Sequence, residues 1–150
     1  MKKGNLGVGL ISGNEGEEFS ARQMDGFEKF LQGHMGKNKD GEDECKITLV
    51  HGGEEGADEK AHWISTDYYC DKIIIPSNED REEYWTGKAC CSQTTILDIE
   101  SDKKKRMGMI IARARVLLVV ESEDAKKNTE MLTRVKGLNK KNKPIVELPR

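Results

Sequence analysis

Basic residues do not outnumber acidic ones in this chain: 25 Lys and Arg stand against 27 Asp and Glu, and aromatics are only 5% of the residues. A general nucleic-acid binder needs a basic excess, so the composition argues against that class. No run approaches the roughly 20 apolar residues of a membrane span, and Met-Lys-Lys-Gly at the start is not followed by an apolar signal segment. The expected location is therefore cytoplasmic, with no membrane partner. Cys45, Cys70, Cys90 and Cys91 lack the density of a disulfide scaffold and the CxxC spacing of a zinc site, and read as buried free thiols. What is present, 150 residues with 35% apolar and 35% charged content, suffices for one domain with a real core under a heavily ionised surface.

The most informative stretch is Cys45 to Tyr69, CKITLVHGGEEGADEKAHWISTDYY. Ile47, Leu49 and Val50 make a buried strand, and Gly52, Gly53 and Gly56 break it with residues that let a ligand approach the backbone. Ala57, Ala61, Ile64 and Tyr68 then form one apolar stripe of a helix whose free N–H groups favour an anion. A bare strand-to-helix turn, with Asp58 as the helix cap, is the structural alternative.

Around it the chain alternates short apolar runs with helical periodicity. Leu6 to Ile11 is a first strand ending in Ser12, Gly13 and Asn14, and the Ser20/Gln23 capping box opens a helix to Gln32. Residues 33–44 have the composition of a mobile, solvated connector. Lys72 to Ile75 is a third strand, and residues 77–100, with an acidic run, Tyr84-Trp85 and two cysteines, read as a long loop beside the pocket. A helix through Met107, Ile110, Ile111 and Ala114, the strand Val116 to Val120, a helix through Met131, Leu132, Val135 and Leu138, and a strand at Ile145 to Leu148 complete the order. Five strands separated by helices predict an α/β, Rossmann-like three-layer sandwich, with a mostly parallel sheet and its ligand site beyond the carboxyl ends of the strands.

At HGGEEGADEKAHWIS the chain resembles the GGxxGAD-x-x-A segment of the SLOG superfamily, the Rossmann-like nucleotide-binding domains related to the LOG and lysine-decarboxylase-like proteins and to the DprA proteins. Ser12-Gly13 resembles the family's first-strand Ser/Thr-Gly, Arg106 its helix arginine, Asn128-Thr129 the Gly-Thr of the next helix, and Lys143 to Val146 the closing strand. The resemblance implies a nucleotide or nucleotide-derivative ligand and pairing into a homo-oligomer. It also shows a departure. Where the LOG-type hydrolases carry PGGxGTxxE, this chain reads ESEDAKKNTEML, with Leu132 at the position of the catalytic glutamate and Glu130 two residues away.

The expected ligand-binding set is therefore Ser12, Gly13, Asn14, His51, Gly52, Gly53, Gly56, Asp58, Arg106, Asn128 and Thr129. His51 bonds a base or ribose or is a satisfied structural donor; Thr129 donates to a phosphate or lies inside a helix that begins earlier. Tyr84 and Trp85 stack on a base or cover the sheet edge. Carboxylates at Glu15, Glu17, Glu54, Glu55, Glu121, Glu123 and Asp124 oppose a bare phosphate unless cations intervene, and Arg106, Lys126, Lys127 or a divalent metal such as magnesium can supply them. Three functions fit: a sensor or sequestering module for a nucleotide; a hydrolase of an N-glycosidic or phosphoester bond, with Arg106 on phosphate and Glu121 or Glu130 as base; and a protein-interaction module without a small ligand.

Overall fold

The computed structural model of the chain describes residues 5–89 and 93–150. In order, the first half contains β1 (Leu6–Ser12), α1 (Ala21–Gln32), β2 (Met35–Lys37), β3 (Asp43–Cys45), β4 (Ile47–His51), α2 (Ala57–Asp67) and β5 (Asp71–Ile74). The second half contains α3 (Glu79–Ala89), β6 (Thr94–Ile96), α4 (Lys103–Ala112), β7 (Val116–Val120), α5 (Ala125–Leu138) and β8 (Ile145–Leu148). Six strands form one parallel sheet of order β6-β5-β4-β1-β7-β8.

Both faces of that sheet are covered, which is why its central strands are apolar on consecutive residues rather than on alternate ones. Val8, Leu10 and Leu49 pack with Phe27 and Leu31 of α1 and Ala61 and Ile64 of α2. Ile11, Val50, Leu117 and Val119 pack on the opposite face with Ile110 and Ile111 of α4 and Met131 and Val135 of α5. This is the expected Rossmann-like α/β sandwich, with six strands where five were expected.

The chain steps from β1 outward through β4, β5 and β6, then crosses back to lay β7 on the other side of β1. Strand order therefore reverses at β1, and the crevice beyond the carboxyl ends of β1 and β7 is the place where such sheets bind ligands. β1 registers with β4 from Leu6↔Ile47 and with β7 as far as Ser12↔Val120.

Two expectations about connections are corrected. Residues 33–44 are not a featureless connector: β2 and β3 pair there as an antiparallel hairpin, turned by Asn38, whose Oδ1 accepts from the Asp40 and Glu42 N–H groups. Nor is 77–100 one long loop. Asn78 Oδ1 accepts from the Arg81 N–H at the start of α3, three of whose first residues are acidic, and β6 then adds an edge strand to β5. An Asn cap before acidic residues is a helix-start signal; it is obscured because α3 buries little besides Trp85.

Trp85 covers the sheet near that edge. It is fully buried against Ile74, with its ring 5.7 Å from Trp63, and its Nε1 donates to the Gly53 carbonyl at 2.8 Å. Trp85→Ala should cost about 3–5 kcal/mol, the usual range for emptying a buried tryptophan site. Urea unfolding of the two chains measures it, and a loss under about 1 kcal/mol would show that α3 does not hold the turn.

Candidate functional site

The glycine turn after β4 is built mostly from protein contacts. Gly53 has φ +69 and Gly56 φ +89, conformations that disfavour side chains. A Cβ at Gly53 would lie 2.6 Å from Trp85 Nε1 and 2.7 Å from Ile74 Cγ2; one at Gly56 would lie 2.5 Å from the Glu17 carbonyl oxygen. The close approaches that these glycines permit are thus made by α3 and by the loop after β1, whose Gly16 N–H donates to the Glu55 carbonyl at 3.1 Å. Gly53→Val would test the fold before it tested a ligand.

His51 is likewise internal. It is fully buried, its Nδ1 accepts from the Gly53 N–H at 3.0 Å, and its Nε2 lies 2.9 Å from His62 Nδ1. Burial holds both imidazoles uncharged, His51 well below its ordinary range and His62 at about 3. Of the two readings of His51, the geometry gives the structural one. Asp58 corrects another expectation: the N-cap of α2 is Gly56 without a side-chain cap, and Asp58 Oδ2 instead accepts from the Glu54 N–H at 3.2 Å, closing the turn.

On the α4 side the turn is open. A narrow inner cleft of about 50 Å³ lies at the carboxyl ends of β1 and β4, floored by Leu10, Ile11, Met107 and Ile110 and edged by Gly52, Asp58 and Arg106. Ser12, Glu15, Lys103 and Met107 also line an outer polar cleft of about 350 Å³, completed by Gly13, Asn14 and, from α5, Lys127, Glu130, Met131 and Arg134. The outer volume is in the range of small-ligand sites.

Arg106 reaches between the two loops. Its Nη2 is 3.4 Å from Glu15 Oε1 and 3.1 Å from Glu54 Oε1, and only 8% of its side chain is exposed. Asp58 beside it is buried, and that burial raises its carboxyl to about 7, with Glu54 and Glu15 adding to the rise against the pull of the Glu54 N–H and Arg106.

The remaining residues divide. Ser12, Gly13, Asn14, Gly52, Asp58 and Arg106 line the joined clefts. Asn128 does not: its Oδ1 accepts from the Ser122 N–H and its Nδ2 donates to the Ser122 carbonyl, shaping the loop after β7. Thr129 lies inside α5, exposed, with its hydroxyl donating to the Ala125 carbonyl, because Asp124 caps that helix four residues earlier than the Asn128-Thr129 resemblance implies. Glu130 lines the outer cleft, whereas Glu121 lines neither, so Arg106, Glu121 and Glu130 do not meet at one point. Tyr84 and Trp85 cover the sheet rather than either cleft; the Tyr84 hydroxyl donates to Glu59. Cys45 and Cys70 are buried free thiols as expected, and Cys90 and Cys91 lie outside the described residues.

Composition alone did not reveal Lys103 and Arg134 as cleft residues, although Lys127 was a candidate cation. Periodicity carried the signal: with Met131 and Val135 buried, residues 127, 130 and 134 share one side of α5. Among the described residues, no group of three or more His, Cys, Asp or Glu is arranged to hold a metal ion. Nor, among those residues, is any helix long and apolar enough to cross a membrane.

Asp58 gives a signed pH dependence. Its carboxyl, ordinarily near 3.8, keeps its proton in the folded chain up to about pH 7, so the folded state binds the extra proton between those values. Stability then falls as pH rises through that window, and the full penalty is present above it. Asp58→Asn, which retains an acceptor for the Glu54 N–H, should be more stable than the parent at pH 8 by on the order of a few kcal/mol. Thermal unfolding at pH 4, 6 and 8 checks this; a gap that did not narrow toward pH 4 would contradict it.

The clefts are thus the places where candidate residues and solvent meet at the strand-order reversal. No family model, curated protein or solved structure matches the chain.

Proposed function

We propose that this chain binds a nucleotide or nucleotide derivative, as a sensor or sequestering module of SLOG type, with the ligand's phosphate in the outer cleft. The observation that carries the reading is the charge of that cleft at the carboxyl ends of the strands: Lys103, Lys127 and Arg134 line it against Glu15 and Glu130, three cations to two carboxylates. Glu15 is itself drawn toward Arg106 at 3.4 Å and Lys103 at 3.7 Å. Arg134 makes no ion pair among the described residues, and Lys127 Nζ donates to Asn14 Oδ1 at 3.0 Å, a neutral partner that leaves its charge for a ligand.

The carboxylates that opposed a phosphate on sequence grounds are largely committed elsewhere. Glu17 accepts from the Ser122 hydroxyl and the Glu123 N–H and sits 3.0 Å from Arg150; burial opposes its ionisation, yet these bonds hold its carboxyl below the ordinary range. Glu55 faces Arg81 at 3.8 Å, Glu54 faces Arg106 at 3.1 Å, and Asp124 caps α5. With those charges engaged, an anion meets mainly the basic side of the cleft.

Calorimetric titration with nucleoside mono- and diphosphates, cyclic nucleotides and ADP-ribose, with and without magnesium, tests the reading. Binding should weaken with added salt, and Lys127→Ala with Arg134→Ala should weaken it at least tenfold, the scale of one or two charge-assisted hydrogen bonds. No heat from any of these ligands at millimolar concentration would sink the proposal. Free base or phosphate appearing on long incubation would instead favour hydrolysis.

A further inference from the structure

The inner cleft has an unusual pair at its edge. Asp58 is 7% exposed; its Oδ2 is engaged by the Glu54 N–H, but its Oδ1 has no hydrogen-bond partner among the described residues. Arg106 is equally buried, and only its Nη2 contacts protein carboxylates; Nε and Nη1 have no such partner among the described residues. Both residues line the same cleft.

Gly52 keeps the space between them open. A Cβ there would stand 3.3 Å from both Arg106 Nε and Asp58 Oδ2, at the lip of the cleft. Behind the pair the floor is apolar, formed by Leu10, Ile11, Met107 and Ile110. A charged group has little reason to enter: Arg106 already faces Glu15 and Glu54, so a second cation meets the guanidinium and a second anion meets two carboxylates. What satisfies unpaired donors on an apolar floor is a neutral acceptor on a flat, weakly hydrated group.

We infer that the inner cleft is a specificity subsite for a ring carbonyl, accepting hydrogen bonds from the Asp58 carboxylic acid and the Arg106 guanidinium while the phosphate of the same ligand lies in the outer cleft. This rests on the nucleotide reading above and narrows it to bases bearing an oxo group. A base with an amino group at that position presents a donor to two donors and leaves them unpaired, which is the kind of mismatch that discriminates strongly. The groups facing Asp58 are Glu54 from the turn, Glu15 from the loop after β1, and Arg106 and Lys103 from α4. Above about pH 7 the acid loses its proton, the donor disappears and a carboxylate faces the carbonyl instead.

The test compares inosine monophosphate with adenosine monophosphate by calorimetry on the full chain at pH 6 and pH 8; the two share their phosphate and ribose and differ in the 6-oxo group with its N1–H against the 6-amino group with its N1 acceptor. Inosine monophosphate should bind at least about tenfold more tightly at pH 6, with the preference shrinking severalfold at pH 8. Asp58→Asn supplies an amide donor at either pH, so its preference should persist at pH 8. Asp58→Leu leaves Arg106 as the remaining donor, so its preference should be severalfold smaller at pH 6 and should not change with pH. Equal affinities in the parent chain at pH 6 would overturn the subsite and leave nucleotide binding standing. An oxo preference indifferent both to pH and to Asp58→Leu would remove Asp58 from the assignment. If neither nucleotide binds, this inference and the reading beneath it fall together.

Discussion

The Gly53 peptide groups hold the site-bearing end of the sheet in place. Its carbonyl accepts from Trp85 Nε1 at 2.8 Å and from Arg81 Nε at 2.9 Å, while its N–H donates to His51. A buried carbonyl with two donors, one of them cationic, is an expensive thing to disturb, because each donor would be left without a partner. This contact seats α3 and fixes the direction in which Glu54, Glu55 and Asp58 leave the turn. It also settles a tautomer. Since His51 Nδ1 must accept, its Nε2 carries the proton and donates to His62, whose ring centroid lies 4.9 and 4.3 Å from those of Trp63 and Trp85 and whose own Nε2–H has no oxygen or nitrogen partner among the described residues. Protonating His51 would set an N–H against the Gly53 N–H, which agrees with imidazoles that stay neutral.

α3 closes one side of the turn, while on the other side Gly52 meets the inner cleft, where α4 supplies the chemistry. Arg106 draws Glu15 and Glu54 toward one point, so two loops that would repel each other are joined by the cation between them. Asp58 sits next to two carboxylates, and its burial, which makes the ionised form costly, keeps it a neutral acid up to about pH 7. The inner cleft is consequently an environment of balanced charge and unused donors, while the outer cleft retains a basic margin.

Much of this was legible in the chain. The apolar runs at 6–11, 47–50, 72–75, 116–120 and 145–148 correspond to strands because a sheet covered on both faces needs consecutive apolar residues, and the Ser20/Gln23 capping box forms as written. Of the six cleft residues among the expected ligand set, Ser12, Gly13, Asn14, Gly52 and Asp58 follow from turn chemistry and strand ends, and Arg106, inside α4, from the resemblance to the SLOG helix arginine. What was not legible is how strained glycines are used. Gly53 and Gly56 announce close approach, but sequence does not say whether the approaching group is a ligand or Trp85 and Glu17, which lie 32 and 39 residues away along the chain. Nor does a count of carboxylates show their partners: Glu17 alone is held by Ser122, Glu123 and Arg150, all beyond residue 120. α3 is hard to read from the chain because its helix signals, a cap and an acidic first turn, come without the apolar stripe that usually identifies a helix.

The position of β1 in the strand order has a consequence for how the chain comes into being. β1 is synthesised well before β7, yet the two lie side by side, and the outer cleft takes its cations from residues 103, 127 and 134. During translation, at roughly 5–20 residues per second, one edge of β1 therefore waits several seconds for the strand that covers it. Until then its backbone is an open edge suited to pairing with other chains, and no ligand has a cleft to enter. A ligand of this cleft can assist folding only once the residues of α5 have been made.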